Sequence, residues 1–148
     1  MKMILFAVLF SGSAALAVNA QDIKAEDVPQ TVAGALTQKY ASATDLNWEM
    51  DGSNYEAEFD INRTDHTVLI DPSGNILMTK SDMMQNDLPQ SVKSAVDQKY
   101  KGMALDDMER VEKGGNTYYQ VELDEKGTDR KLVFSADGQE VTEPAYWD

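Results

Sequence analysis

Residues 28–40 read VPQTVAGALTQKY and residues 88–100 read LPQSVKSAVDQKY, which aligns the two stretches at an offset of 60. Seven of the 13 aligned positions are identical. In each stretch apolar residues recur every four positions, which is the spacing of one face of an α-helix. The second position of each stretch is proline, which is tolerated in the first turn of a helix. The chain therefore contains the same predicted helix twice.

The similarity continues after the helices at an offset of 64. YEAEF at 55–59 aligns with YQVEL at 119–123, and VLIDPSG at 68–74 aligns with LVFSADG at 132–138. Apolar and polar residues alternate in 55–59 and 119–123, which predicts strands with one buried face. The stretches 68–74 and 132–138 end in residues that are typical of turns, with glycine last. A duplication of this length indicates a repeated supersecondary unit.

Each unit is predicted to consist of one helix followed by four strands. The predicted fold is α+β: two tandem α-β-β-β-β repeats form one antiparallel sheet of about eight strands, with both helices on one face. Repeat 1 is assigned to residues 21–80 and repeat 2 to residues 88–148, with a polar linker at 81–87. We expect the two repeats to form one domain.

Residues 1–20 have the pattern of an export signal. Lys2 precedes an apolar run at residues 3–10, and small residues follow up to Ala20. This pattern predicts a secretory signal peptide cleaved after Ala20, with Ala17 as an alternative cleavage site. The apolar run is shorter than the roughly 20 residues of a spanning helix. We therefore expect a periplasmic or secreted protein without stable membrane insertion of the mature chain.

Composition narrows the classes of function. The 148 residues include no cysteine, which excludes disulfides, thiolate metal sites and cysteine nucleophiles. The chain has 26 acidic and 13 basic residues, for a formal net charge of −13. Such a charge repels nucleic acids and anionic membranes. The expected partner is a protein, and a basic protein is favoured.

The repeat resembles the PepSY-like family, whose plan is similar to the β-lactamase-inhibitor protein fold. The residues that carry the resemblance are Val28-Pro29, Lys39-Tyr40, Tyr55 to Phe59 and Asp71 to Asn75 in the first copy, and Leu88-Pro89, Lys99-Tyr100, Tyr119 to Leu123 and Ala136 to Gln139 in the second. The resemblance covers residues 26–143 and implies an exported, non-enzymatic domain that binds or inhibits other proteins. The chain lacks the cysteines of the inhibitor itself. Inhibition of β-lactamase is therefore not implied, and no functional residue of the family maps onto this sequence.

No set of residues in the sequence suggests catalysis or a resident cofactor. His66 is the only histidine, and we interpret it as a surface residue in a turn or at a strand edge. A nucleophile–base–orienter set is therefore not predicted. We predict no catalytic residue, no cofactor and no defined metal site. Calcium binding is the alternative, through the acidic groups Asp106-Asp107, Glu122/Asp124/Glu125 and Asp71/Asn75, although none has the spacing of a calcium loop.

The sheet face opposite the helices, here called the open face, is the candidate partner-binding surface. Its predicted binding residues are Glu56, Glu58, Asp60, Leu69, Tyr118, Glu122, Asp124 and Val133. Apolar residues among acids on an open sheet suit protein recognition. We interpret the carboxylates as a solvated outer face with ordinary pKa values, not as acid–base pairs.

The sequence also predicts the surroundings of three aromatic residues. Trp48 alternates with Leu46 and Met50, which favours a core position. Tyr146-Trp147 is either a flap over the sheet edge or an anchor for a partner. The sequence as a whole predicts an exported protein-binding module that acts as an inhibitor or interaction partner of an envelope protein. A small-ligand or calcium-binding protein is the alternative.

Overall fold

A computed structural model describes residues 21–148, and the predicted signal peptide with its cleavage site after Ala20 lies outside the described residues. One sheet contains the strands β1 (Gln21–Asp22), β2 (Thr44–Asp51), β3 (Asn54–Ile61), β4 (Thr64–Ile70), β5 (Ile76–Asp82), β6 (Ala104–Lys113), β7 (Asn116–Glu125), β8 (Thr128–Ser135) and β9 (Glu140–Val141). The helices are α1 (Gln30–Lys39) and α2 (Gln90–Lys99), each preceded by a single 3₁₀ turn at Ala25–Asp27 or Gln85–Asp87. In this part of the chain no helix is long and apolar enough to cross a membrane.

The strands lie in the sheet in the same order as in the chain, and every neighbouring pair is antiparallel. This arrangement confirms the predicted α+β fold of tandem repeats. The sheet has nine strands where about eight were expected, because Gln21–Asp22 pairs with β2. A strand of two residues is too short to show an alternating pattern. The repeats meet where β5 pairs with β6, and the end of β5 includes the first two residues of the predicted linker.

Both helices pack on the same face of the sheet. The helix residues Val32, Leu36, Val92 and Val96 are buried, as the four-residue period predicts. They pack in two clusters, α1 against Trp48, Ala57, Phe59, Val68 and Ile70, and α2 against Val121, Leu123, Leu132 and Phe134. The strand register places these partners on one side, through the cross-strand pairs Ala57–Val68, Val68–Thr79, Thr79–Glu112 and Glu112–Thr117. The open face is therefore continuous across both repeats.

The glycine at the end of each aligned VLIDPSG-type stretch lies against the start of a helix. Gly138 has a φ of 85°, and a Cβ added there would lie 2.5 Å from the carbonyl oxygen of Ser91. The equivalent Gly74 has a φ of 86°, and its added Cβ would lie 2.9 Å from the carbonyl oxygen of Thr31. Both the backbone conformation and the close approach exclude a larger side chain without movement. The repeated glycine is thus a requirement of helix-to-turn packing.

Trp48 lies in the core as predicted, with 5% of its surface exposed. Leu46, which the same alternation places beside it, is 42% exposed. The reason is a register shift in β2 between Thr44 and Asn47, where Asp45 adopts a φ of 54°. An extra residue in a strand inverts the alternation beyond it, as in a β-bulge.

His66 is not the surface residue in a turn or at a strand edge that was expected. It lies within β4, in the interior of the sheet, and it is half-buried on the helix-bearing face. Its ring stacks on that of Phe59, its cross-strand partner, with ring centroids 5.6 Å apart and an interplanar angle of 7°. Burial lowers the pKa of the His66 imidazole. Its alternation with Val68 and Ile70 already indicated this side of the strand.

Candidate functional site

The structure places all eight predicted binding residues on the open face. In β3 and β7 they alternate with core residues such as Ala57 and Val121, and the register places Leu69 opposite Glu56 and Val133 opposite Gln120. They are not equally accessible, however. Glu58 and Asp124 are exposed, Asp60, Tyr118 and Glu122 are half-buried, and Glu56, Leu69 and Val133 are buried.

The C-terminal tail, residues 144–148, lies against the open face and contacts Glu56, one of its buried residues. The backbone N–H of Trp147 donates to Oε1 of Gln120 at 2.7 Å. The carbonyl oxygen of Trp147 accepts from Nε2 of Gln120 and from Nζ of Lys80, both at 3.0 Å. Side chains of the sheet therefore bind both backbone polar groups of this residue. Val111, the cross-strand neighbour of Lys80, is fully buried beneath the same region.

The side chains of the tail extend these contacts to β3 and β8, so the tail contacts four strands through the residues named here. The indole Nε1 of Trp147 donates to Oε2 of Glu56 in β3 at 3.0 Å, and Nζ of Lys80 lies 5.3 Å from the centre of the indole. Asp148 forms an ion pair with Lys131 in β8, and the Lys131 ammonium also lies over the ring of Tyr146. Of the two predictions for Tyr146-Trp147, the flap over the sheet edge is wrong, because the tail crosses the middle of the face. The anchor for a partner stays a prediction.

Beneath the tail lies a buried polar network that the sequence did not reveal. Nζ of Lys80 is 3.2 Å from Oε1 of Glu109, and their side chains are only 11% and 9% exposed. Nε2 of Gln120, which is fully buried, donates to Oε2 of Glu109 at 2.7 Å. Burial raises the pKa of nearby Glu56, and the hydrogen bond from the Trp147 indole opposes that shift. The one available signal was Lys80, a base on a face that is otherwise rich in acids.

An acidic cavity of about 470 Å³ opens beside this network. Its carboxylates come from Asp45, Glu58, Asp60, Asp65, Asp82, Asp107 and Glu109. Lys80 lines it with an ammonium group and His66 with an imidazole. Burial, followed by the charges of Asp65, Asp107 and Glu109, raises the pKa of Asp82 to about 6. A hydrogen bond with Asp65 is the largest cause of a raised pKa at Asp60. The expectation of ordinary pKa values on this face was therefore wrong.

A second acidic group lies towards β8. Carboxylate oxygens of Asp106, Glu122 and Asp129 come within 4.8 Å of one another. Desolvation is the first cause of a raised pKa at Glu122, and the charge of Asp129 is the second. Two of the runs considered for calcium thus contribute one residue each, together with Asp129.

The fold and the open face define a class: a tandem-repeat α+β domain with helices on one side of an antiparallel sheet. Residues 14–78 and residues 55–140 each match the family model described as "Putative beta-lactamase-inhibitor-like, PepSY-like". The chain belongs to this family, and the two matches together extend through both repeats.

Solved structures from Bacteroides species have the same architecture. A BLIP-like protein of Bacteroides fragilis is 29% identical, with a TM-score of 0.66 over 76% of this chain and 82% of that one. A DUF2874 family protein of Bacteroides uniformis is 24% identical, with a TM-score of 0.71 over 76% and 86%. A protein of Bacteroides eggerthii, described as a "putative periplasmic" protein, is 19% identical, with a TM-score of 0.72 over 77% and 86%. The last two show the fold alone. A search of curated protein sequences gives no match.

Proposed function

We propose that this protein is an exported, non-enzymatic protein-binding module whose open face takes a basic segment of an envelope protein. The observation that carries the proposal is the acidic cavity beside the C-terminal tail. It offers seven carboxylates and one ammonium group within about 470 Å³. Predicted binding residues Glu58 and Asp60 line it.

The electrostatics of the cavity favour a cationic side chain. Desolvation first, and then the charges of neighbouring carboxylates, raises the pKa of Asp82, whereas a hydrogen bond with Asp65 is the first cause of the raised pKa of Asp60 and carboxylate repulsion adds to it. An arginine or lysine between them would relieve that repulsion, and arginine can engage a carboxylate through two hydrogen bonds. The net charge of −13 would also speed the approach of a basic partner.

The remaining parts of the proposal have separate support. The family is described as inhibitor-like, which supports binding to proteins rather than catalysis. The export pattern at residues 1–20 and the periplasmic description of the Bacteroides eggerthii protein support an envelope location.

Calorimetric titration with an arginine-rich peptide tests the cavity directly. The paired variant Asp65→Asn/Asp82→Asn removes two charges from the cavity. The control Asp87→Asn/Asp97→Asn removes two exposed charges from the helix-bearing side. We expect about tenfold weaker binding for the cavity variant, from two ion pairs of about 0.2–1 kcal/mol each. The control should retain the wild-type affinity.

An equal loss in both variants would show only a general charge effect and would refute the cavity as the site. The physiological partner can then be sought by capture from an envelope extract. A partner retained by wild type and control, but lost by the cavity variant, is the expected result. Identical partner profiles for all three proteins would argue against the proposal.

Cation binding is a second candidate function. It is favoured by the convergence of Asp106 in β6, Glu122 in β7 and Asp129 in β8. Calcium prefers oxygen ligands and takes six to eight of them, so water would complete the set. A specific ion raises the melting temperature by mass action. We expect millimolar calcium to stabilise wild type but not Asp129→Asn, and an unchanged melting temperature in wild type would remove this candidate.

A further inference from the structure

The C-terminal tail is held on the open face by contacts that resemble the binding of a peptide. Gln120 binds the backbone N–H and the carbonyl oxygen of Trp147 with the two ends of one amide. Lys80 gives the same carbonyl a second donor. These contacts involve only backbone atoms of the bound residue, so they would accept any extended segment. The amide of Gln120 is fully buried, which fixes its position within the sheet.

Specificity comes from the side chains around that backbone pair. Glu56 accepts a hydrogen bond from the indole N–H, which phenylalanine at this position could not donate. The Lys80 ammonium over the indole adds a cation–π contact. Lys131 pairs with the acidic residue that follows the tryptophan. The groove formed by Glu56, Lys80, Gln120 and Lys131 therefore selects tryptophan followed by a carboxylate.

The tail should dissociate from the sheet more easily than a paired strand would. It joins the sheet through side chains and not through a backbone ladder. Ala145 and Asp148 are exposed, and Tyr146 and Trp147 are only half-buried. Thr142 and Glu143, which connect it to β9, are exposed as well. Pro144, where the tail begins, is buried, and departure of the residues after it would free the polar groups of Glu56, Lys80 and Gln120 that bind Trp147.

We propose that this groove is a peptide-binding site for an extended, tryptophan-bearing acidic segment of another protein, and that the tail is its resident competitor. A partner segment must displace the tail to bind. The site is separate from the cavity for basic segments, because it binds a ligand of opposite charge. Of the four groove residues, Lys80 also lines the cavity.

The proposal can be tested with a synthetic peptide of residues 143–148, EPAYWD, acetylated at its N-terminus. The receptor is the full chain with Trp147→Ala, whose own tail lacks the indole. Wild type is the internally blocked control, and Trp147→Ala/Gln120→Ala lacks the groove amide. A second receptor, truncated after Ala145, covers the case in which Tyr146 keeps the altered tail in place. Circular dichroism confirms that each receptor is folded, and fluorescence anisotropy of labelled peptide measures binding.

A short tether gives the resident tail an effective concentration of about 1 mM. If the free groove binds the peptide with a dissociation constant of about 0.1 mM, wild type should bind it about tenfold more weakly. We expect binding to Trp147→Ala or to the truncated receptor, and loss of at least tenfold on adding Gln120→Ala or on replacing the peptide tryptophan with alanine.

Three results would overturn the proposal. The first is no binding by either folded receptor at millimolar peptide. The second is equal binding of the tryptophan and alanine peptides. The third is dimerisation of wild type, measured by sedimentation, at concentrations where Trp147→Ala stays monomeric, because the occupant in trans would then be a second copy of this chain.

Discussion

The contact between Gly138 and the start of α2 makes a quantitative prediction about stability. In Gly138→Ala the new Cβ would lie 2.5 Å from the carbonyl oxygen of Ser91, 2.8 Å from its carbonyl carbon and 3.2 Å from its Cβ. The first two atoms belong to the backbone, so no flexible side chain can rotate away. The same segment is joined to the helix by the hydrogen bond that Ser91 Oγ donates to the carbonyl of Ala136, at 2.8 Å. Relief of the clash must therefore move the turn from the helix.

Gly127 is the matched control for this substitution. Its φ of 88° is close to the 85° of Gly138, but a Cβ added at Gly127 meets no atom within 4 Å. Both alanine variants incur the cost of a left-handed conformation, about 1–2 kcal/mol. Only Gly138→Ala adds the cost of overpacking, about 1–3 kcal/mol. We expect total losses of about 2–5 kcal/mol at Gly138 and about 1–2 kcal/mol at Gly127, with Gly74→Ala between them.

Urea unfolding followed by far-ultraviolet circular dichroism measures these differences. The midpoint should fall while the slope m stays constant, since the native and unfolded surfaces change little. Equal losses for Gly138→Ala and Gly127→Ala, within about 0.5 kcal/mol, would refute the close approach as the reason for glycine.

Three further substitutions test the core, the buried network and the pH response. Leu36→Ala should cost about 2–5 kcal/mol in urea unfolding, whereas exposed Gln38→Ala on the same helix should change stability little; a loss below about 1 kcal/mol at Leu36 would contradict its place in the core. Lys80→Met should cost about 3–5 kcal/mol because it leaves Glu109 buried and unpaired, and the double variant Lys80→Met/Glu109→Gln should recover part of that loss; strictly additive costs would disprove the coupling. The folded-state pKa of Asp82, raised to about 6 from 3.8, means that its charged form destabilises the fold above pH 6 and that this penalty disappears as the pH falls towards 4. Asp82→Asn should therefore stabilise the protein at pH 7 and show little effect at pH 4, and thermal melts with a pH-independent difference would argue against the shift.

The parts of the fold that were predictable depend on local periodicity. The four-residue spacing of Val32 and Leu36 indicated the buried face of α1, and it does so because a helix repeats every 3.6 residues. Alternation in β3 and β7 placed the open-face residues on the correct side for the same kind of reason. Leu46 departs from this rule because the backbone of Asp45 turns left-handed, and no side-chain pattern records that.

The groove was not predictable, because it depends on residues far apart in the chain. Glu56, Lys80 and Gln120 come from three strands, and they converge on Trp147 only after the sheet has formed. Apart from Lys80, a base on an acidic face, they look in the sequence like ordinary solvent-facing strand residues. In the tail only the aromatic pair Tyr146-Trp147 was a signal, and five residues without a periodic pattern do not indicate where such a pair will lie.

Trp147 belongs to repeat 2, yet it bonds to Glu56 and Lys80 of repeat 1 as well as to Gln120 of its own repeat. The two hydrophobic clusters lie in separate repeats, which the β5–β6 pairing joins within the sheet. Because Trp147 contacts both repeats, the opening of either repeat breaks contacts of the other. We therefore expect the two repeats to unfold in a single cooperative transition and not in two steps. Displacement of the tail would then do more than expose the groove, because each repeat could open and unfold without the other.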